Sequence, residues 1–126
     1  MIPINDYQKL LYSTLQEEFT TKIFDDVPKN TKLPVVILGD YIISSGISKS
    51  KGYSITQNID IYSEYEGKKE INDYVSRCIE SVSKIFNQEI IDNWEVSSLR
   101  LSDSTISRVE DIYVANMKFE IVLEQF

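Results

Sequence analysis

From Ile71 to Phe86 the apolar residues Ile71, Tyr74, Val75, Cys78, Ile79, Val82, Ile85 and Phe86 recur at helical spacing and form one continuous stripe. The spacing predicts a helix over 68–86, and that stripe must be buried against another layer. Glu70, Asp73, Arg77, Glu80 and Lys84 fall off it and are expected in solvent. The layer that receives the stripe is legible near the end of the chain. There Tyr113, Ala115, Met117, Phe119, Ile121 and Leu123 alternate with Asn116, Lys118, Glu120 and Glu124. Alternation of this kind marks a long strand with one dry face and one wet face.

A second amphipathic helix is expected at the start. Asn5 can cap it, with Gln8 three residues on, and Tyr7, Leu10, Leu11, Leu15 and Phe19 share one face until Thr20 and Thr21 end the pattern. Ile23-Phe24 reads as a short strand and 27–32 as a polar loop, with Pro28 and Pro34 as punctuation. The run Val35 to Ile43 reads as a strand buried on both faces, or as one bulged near Gly39. After a polar stretch from Ser44 to Gly52, Tyr53, Ile55, Ile59 and Ile61 alternate with Ser54, Thr56, Asn58 and Asp60, and only Gln57 interrupts the apolar set. Trp94, Val96, Leu99 and Leu101 suggest a further strand whose phase slips after Val96, which implies a bulge. Ser102 to Ser107 then reads as a polar connection, with Glu110-Asp111 opening the last strand as edge protection. The expected fold is α+β: one domain over 1–126, a mostly antiparallel sheet of hairpin-joined strands, and two amphipathic helices packed on one face.

The residue types narrow the chemistry. Histidine is absent and Cys78 is the single cysteine, so His-based catalysis, an intrachain disulfide and a thiolate metal cluster are excluded. The scattered glycines make no phosphate-binding loop. Cys78 on the apolar stripe reads as a buried, inert thiol, and Trp94 as an anchor of the core or of an interface. Asp25-Asp26 reads as a solvated turn, because adjacent residues on an extended chain point apart. No enzyme, cofactor or metal is therefore expected. The balance of 13 basic and 20 acidic residues gives a formal charge of −7, which opposes gripping a phosphate backbone. No basic-then-apolar leader and no apolar run of membrane-spanning length is present, so the expected setting is a reducing cytoplasm with no membrane contact. The insert carrying Ser45, Gly46, Ser48, Lys49 and Lys51 reads either as a plain hairpin tip or as an arm that reaches a neighbouring subunit, and its removal is expected to weaken assembly without unfolding the chain.

One passage carries a resemblance. Ile23-Phe24-Asp25-Asp26-Val27-Pro28, a short loop, then Leu33-Pro34-Val35-Val36-Ile37-Leu38-Gly39, is similar to the corresponding stretch of small bacteriophage tail-completion (tail-terminator, head–tail joining) proteins. The alternating strand from Ile55 to Tyr62, the long helix and the closing strand resemble that family too, so the likeness spans nearly the whole chain. Val35 stands where many members carry an aromatic. The resemblance implies a tail-tube-like fold and a structural role without catalytic residues. It implies a homo-oligomeric ring, typically of six subunits, on the head-proximal end of the tail tube. Such a ring ends tube polymerisation, meets the head connector and lets DNA pass through its lumen, on a virion tail assembled in the host bacterial cytoplasm. It binds no small-molecule substrate. A monomeric, immunity- or antitoxin-like module that captures a basic protein is the alternative, and a carboxylate-only enzyme is a third reading.

Overall fold

A computed structural model describes residues 1–20, 22–26, 32–45 and 52–126. The chain forms α1 (Ile4–Phe19), β1 (Ile23–Phe24), β2 (Val35–Ser45), β3 (Gly52–Ser63), α2 (Lys69–Ser83), β4 (Glu89–Ile91), β5 (Trp94–Val109) and β6 (Ile112–Gln125). The strands make one six-stranded sheet in the order β1-β2-β3-β6-β5-β4. All pairings are antiparallel except β1 with β2, which is parallel and departs from the hairpin rule expected above.

Both helices cover one face of this sheet. Tyr7, Leu11, Leu15 and Phe19 of α1 and Ile71, Cys78 and Val82 of α2, with Ile85 just beyond it, join Ile55, Ile59, Ile61, Ala115, Met117, Phe119, Ile121 and Leu123 in a single buried cluster. The alternation in β6 thus does what its period requires: each second residue enters the core. Trp94 belongs to the same cluster and lies against Tyr53, ring centroids 6.1 Å apart, so it anchors the core. The opposite face of β3 is half-buried rather than open, because β3 is an interior strand flanked by β2 and β6.

Several boundaries differ from expectation for identifiable reasons. Pro3, not Asn5, occupies the N-cap of α1: its carbonyl accepts from the Tyr7 N–H at 3.0 Å, and no side chain caps the helix. Gln8 is thereby free to turn inward and bond Gln57 instead of the helix start. The second helix closes at Ser83, and the chain continues through i→i−3 bonds from Lys84, Ile85 and Phe86, a tighter turn that leaves Phe86 exposed while Ile85 stays buried. Arg77, expected in solvent, is instead held between the helices. Ser102 to Ser107 is strand, and Glu110-Asp111 is the two-residue turn joining β5 to β6, with Glu110 at φ 56°. Serine and aspartate there favour a loop, but apart from the bulged Ser102 each of these residues finds a partner on the β6 ladder, which overrides local preference.

Candidate assembly surface

The chemistry-bearing side chains are dispersed. Cys78 is fully buried, and burial pushes its thiol up to about 12. Among the described residues no three Cys, Asp or Glu side chains are placed to hold a metal ion. Asp25 and Asp26 are exposed after β1. No helix among the described residues is long and apolar enough to cross a membrane. Of the candidate arm, Ser45 is the exposed last residue of β2, opposite Tyr53, while Gly46, Ser48, Lys49 and Lys51 lie outside the described residues.

What the fold does concentrate is uncovered strand edge. β1 pairs with β2 only at Val36 and Ile37, so among the described residues no strand lies beside the outer edge of β2 from Leu38 to Ser45. On the far side of the sheet β4 pairs only with Trp94 and Glu95, Val96 bonds the backbone of Asn87 and Gln88, and among the described residues no strand lies beside β5 from Ser97 to Val109. The β2 edge also carries apolar side chains in solvent: Tyr41 is 40% exposed, Ile42 65% and Ile43 39%. Tyr41 and Ile43 lie opposite Gln57 and Ile55, hence on the core side of the sheet, past the point where the core ends.

The shape of this edge is set from inside the protein. Two residues, Gly39 and Asp40, stand opposite Asn58 alone, which is the bulge the sequence allowed for near Gly39. The fully buried Gln57 holds it. Its amide donates to the carbonyls of Gly39 (3.0 Å) and Asn58 (3.1 Å), and its carbonyl accepts from Tyr7 Oη and Gln8 Nε2, both at 3.0 Å. Burial raises the Tyr7 phenol well above its ordinary range, so it remains a donor to Gln57. A cavity of about 510 Å³ opens between α1 and this edge, with Lys9 and Tyr12 on one wall and Gly39, Asp40 and Tyr41 on the other.

The face of the sheet away from the helices is polar. Asp40, Asn58, Asp60, Asp103, Asn116 and Lys118 share a cavity of about 460 Å³ there. Burial, and secondarily the Asp40 charge, holds the Asp60 carboxyl above its usual range. Arg100 pairs with Glu120 at 2.6 Å on the same face. Sequence patterning located Asn58, Asp60, Asn116, Lys118 and Glu120 on wet strand faces but not Asp40 or Asp103, and it could not group them, since the grouping depends on strand order.

No protein-family model matches the chain, and no curated protein matches it. Among solved structures, a chain of the virion of a native gene transfer agent particle is similar, with a TM-score of 0.63 at 18% sequence identity, covering 94% of this chain and 91% of that one. That likeness shows a fold shared over nearly the full length of both chains.

Proposed function

We propose that the protein is a phage-like virion component, and within that class a tail-completion protein. In this role it forms a ring on the head-proximal end of the tail tube, stops tube growth and joins tail to head, acting through shape and without catalysis. The observation that carries this reading is the fold shared with a chain of a gene transfer agent virion across 94% of the sequence. The edges add physical support. A ring of identical subunits needs two different, complementary surfaces on each, and β2 and β5 offer unlike open edges on opposite sides of one sheet. The charge of −7 suits a conduit through which DNA passes without being gripped. The ring has about six subunits, with the tail tube and the head connector as its two axial partners.

Light scattering over a concentration series, with negative-stain microscopy of the largest species, tests the assembly. Closed rings that add to the ends of purified tail tubes and halt their extension are expected. A protein that stays monomeric, or rings that ignore tube ends, would overturn the reading.

A further inference from the structure

We infer that adjacent copies of this chain join by pairing the open edge of β2 (Leu38 to Ser45) with the open edge of β5 (Ser97 to Ser104) in a fixed, antiparallel register, so that the sheet and its core-side apolar layer continue from one copy into the next. This deepens the ring reading above and rests on its premise that the chain associates with itself.

The directions come first. β2, β3, β6 and β5 are successive antiparallel neighbours, so β2 and β5 run in opposite senses. Rotating a second copy about an axis along the strands preserves those senses and sets its β5 antiparallel to the first copy's β2.

The levels come next. Following the ladders across the sheet, Leu38, Ile59, Met117 and Ser104 form one row, Tyr41, Gln57, Phe119 and Leu101 another, and Ser44, Ser54, Val122 and Ser98 a third. Both edges are therefore open over the same height. β1 closes β2 only below it, and β4 closes β5 only above it. The irregularities also coincide. The extra residue in β2 at Gly39-Asp40 and the extra residue in β5 at Ser102 fall at the level of the Asn58–Lys118 row, so the residue count stays matched across the junction.

The side chains agree with that register. Tyr41 meets Leu101 of the next copy and Ile43 meets its Leu99, all four on the core side, where a one-residue slip would turn the apolar set to the wrong face. Leu99 and Leu101 already pack against the core of their own copy, so the exposed Tyr41 and Ile43 would extend that layer. On the other face Ser44 meets Ser98, both exposed and both small.

Ser44→Cys combined with Ser98→Cys tests the register. Within one chain these positions are three strand spacings apart, about 14 Å, beyond the roughly 7 Å between Cα atoms that a disulfide spans. Cys78 is buried and stays silent. Mild oxidation of the assembled variant should give a dithiothreitol-sensitive ladder of dimer, trimer and higher species ending at the ring size. Ser44→Cys with Ser107→Cys, on the same face but level with Val35, should give none. Ile43→Asp, at an exposed position, should retain the monomer's circular dichroism and melting curve and lose assembly. Rings that form with no Ser44–Ser98 ladder, or that link through position 107 instead, overturn the pairing and leave the ring reading standing. A ladder from particles that do not cap tail tubes upholds the pairing and sinks the tail-completion reading. A monomer with no ladder at any concentration overturns the pairing.

Discussion

Replacing Gln57 by leucine removes one buried side chain that serves four hydrogen bonds, and its cost can be worked from their geometry. Tyr7 is fully buried and its hydroxyl has Gln57 Oε1 as its partner at 3.0 Å. Leucine leaves that hydroxyl orphaned, at a cost of about 1–3 kcal/mol. The carbonyl of half-buried Gly39 also loses its amide donor, but water can reach it, so this adds only about 0.5 kcal/mol. The single substitution is thus expected to destabilise by about 2–3 kcal/mol. With about 2.1 cal/mol/K of unfolding entropy per residue, a chain of 126 residues loses roughly 4 °C of Tm for each kcal/mol, so the melt should fall by about 8–12 °C. Tyr7→Phe alone leaves Gln57 Oε1 with its Gln8 donor and should cost only about 1 kcal/mol. In the double variant no hydroxyl remains to be orphaned, so the two losses should fall short of their sum by about 1 kcal/mol or more. Urea denaturation of the four proteins, at concentrations where the chain is monomeric, closes this cycle. Additivity within about 0.3 kcal/mol, or a neutral Gln57→Leu, would refute the claim that Gln57 links α1 to the β2 bulge.

Arg77 donates to Glu18 at 2.6 Å and lies 5.0 and 4.9 Å from the rings of Phe19 and Tyr74, so Arg77→Ala should loosen α1 from α2, with about 1 kcal/mol from the ring contacts alone. Arg77→Lys should recover little of this in the same denaturation assay, because an ammonium lacks the planar group that stacks. Asp60 binds its proton more tightly folded than unfolded, so it lowers stability above its folded pKa and is neutral below the ordinary aspartate value. Asp60→Asn should therefore raise Tm at pH 7 by about 1–2 °C, the group being only partly buried, and give no gain near pH 3; an equal gain at both would sink the assignment. Cys78, its thiol pushed up to about 12, should resist iodoacetamide at pH 8 in the native protein and react once urea unfolds it.

How much of this was legible in the residues depended on whether a feature is local. The α2 stripe and the β6 alternation depend on residues a few positions apart, and both led to the core, except that Phe86 lies past the last full helical turn and faces water. The phase slip after Val96 and the bulge near Gly39 were readable for the same reason, since each interrupts a period of two. Ser102 to Ser107 was misread because its composition suits a turn, whereas its conformation is decided by β6, whose pairing with it the local sequence does not encode. Gln57 shows the distinction most sharply. In sequence it is a polar break in an apolar series; in space it bonds Tyr7, 50 residues earlier in the chain, and reaches the Gly39 carbonyl of the neighbouring strand. The open strand edges were illegible on the same ground. An open edge is defined by the absence of a neighbouring strand along part of its length, which depends on which strands β1 and β4 pair with and where they stop; Ile23-Phe24 was readable as a strand but not its parallel partner, and the three-residue β4 left no periodic trace. The sequence left the insert carrying Ser45, Gly46, Ser48, Lys49 and Lys51 open between a plain hairpin tip and an arm, and all of it but Ser45 lies outside the described residues. Tyr41, Ile42 and Ile43, a few residues earlier, looked like ordinary core. They are apolar, β-branched or aromatic; Ile42, opposite Thr56, faces away from the helices, and only the sheet order leaves Tyr41 and Ile43 on the helix side at an edge that their own chain's core does not cover.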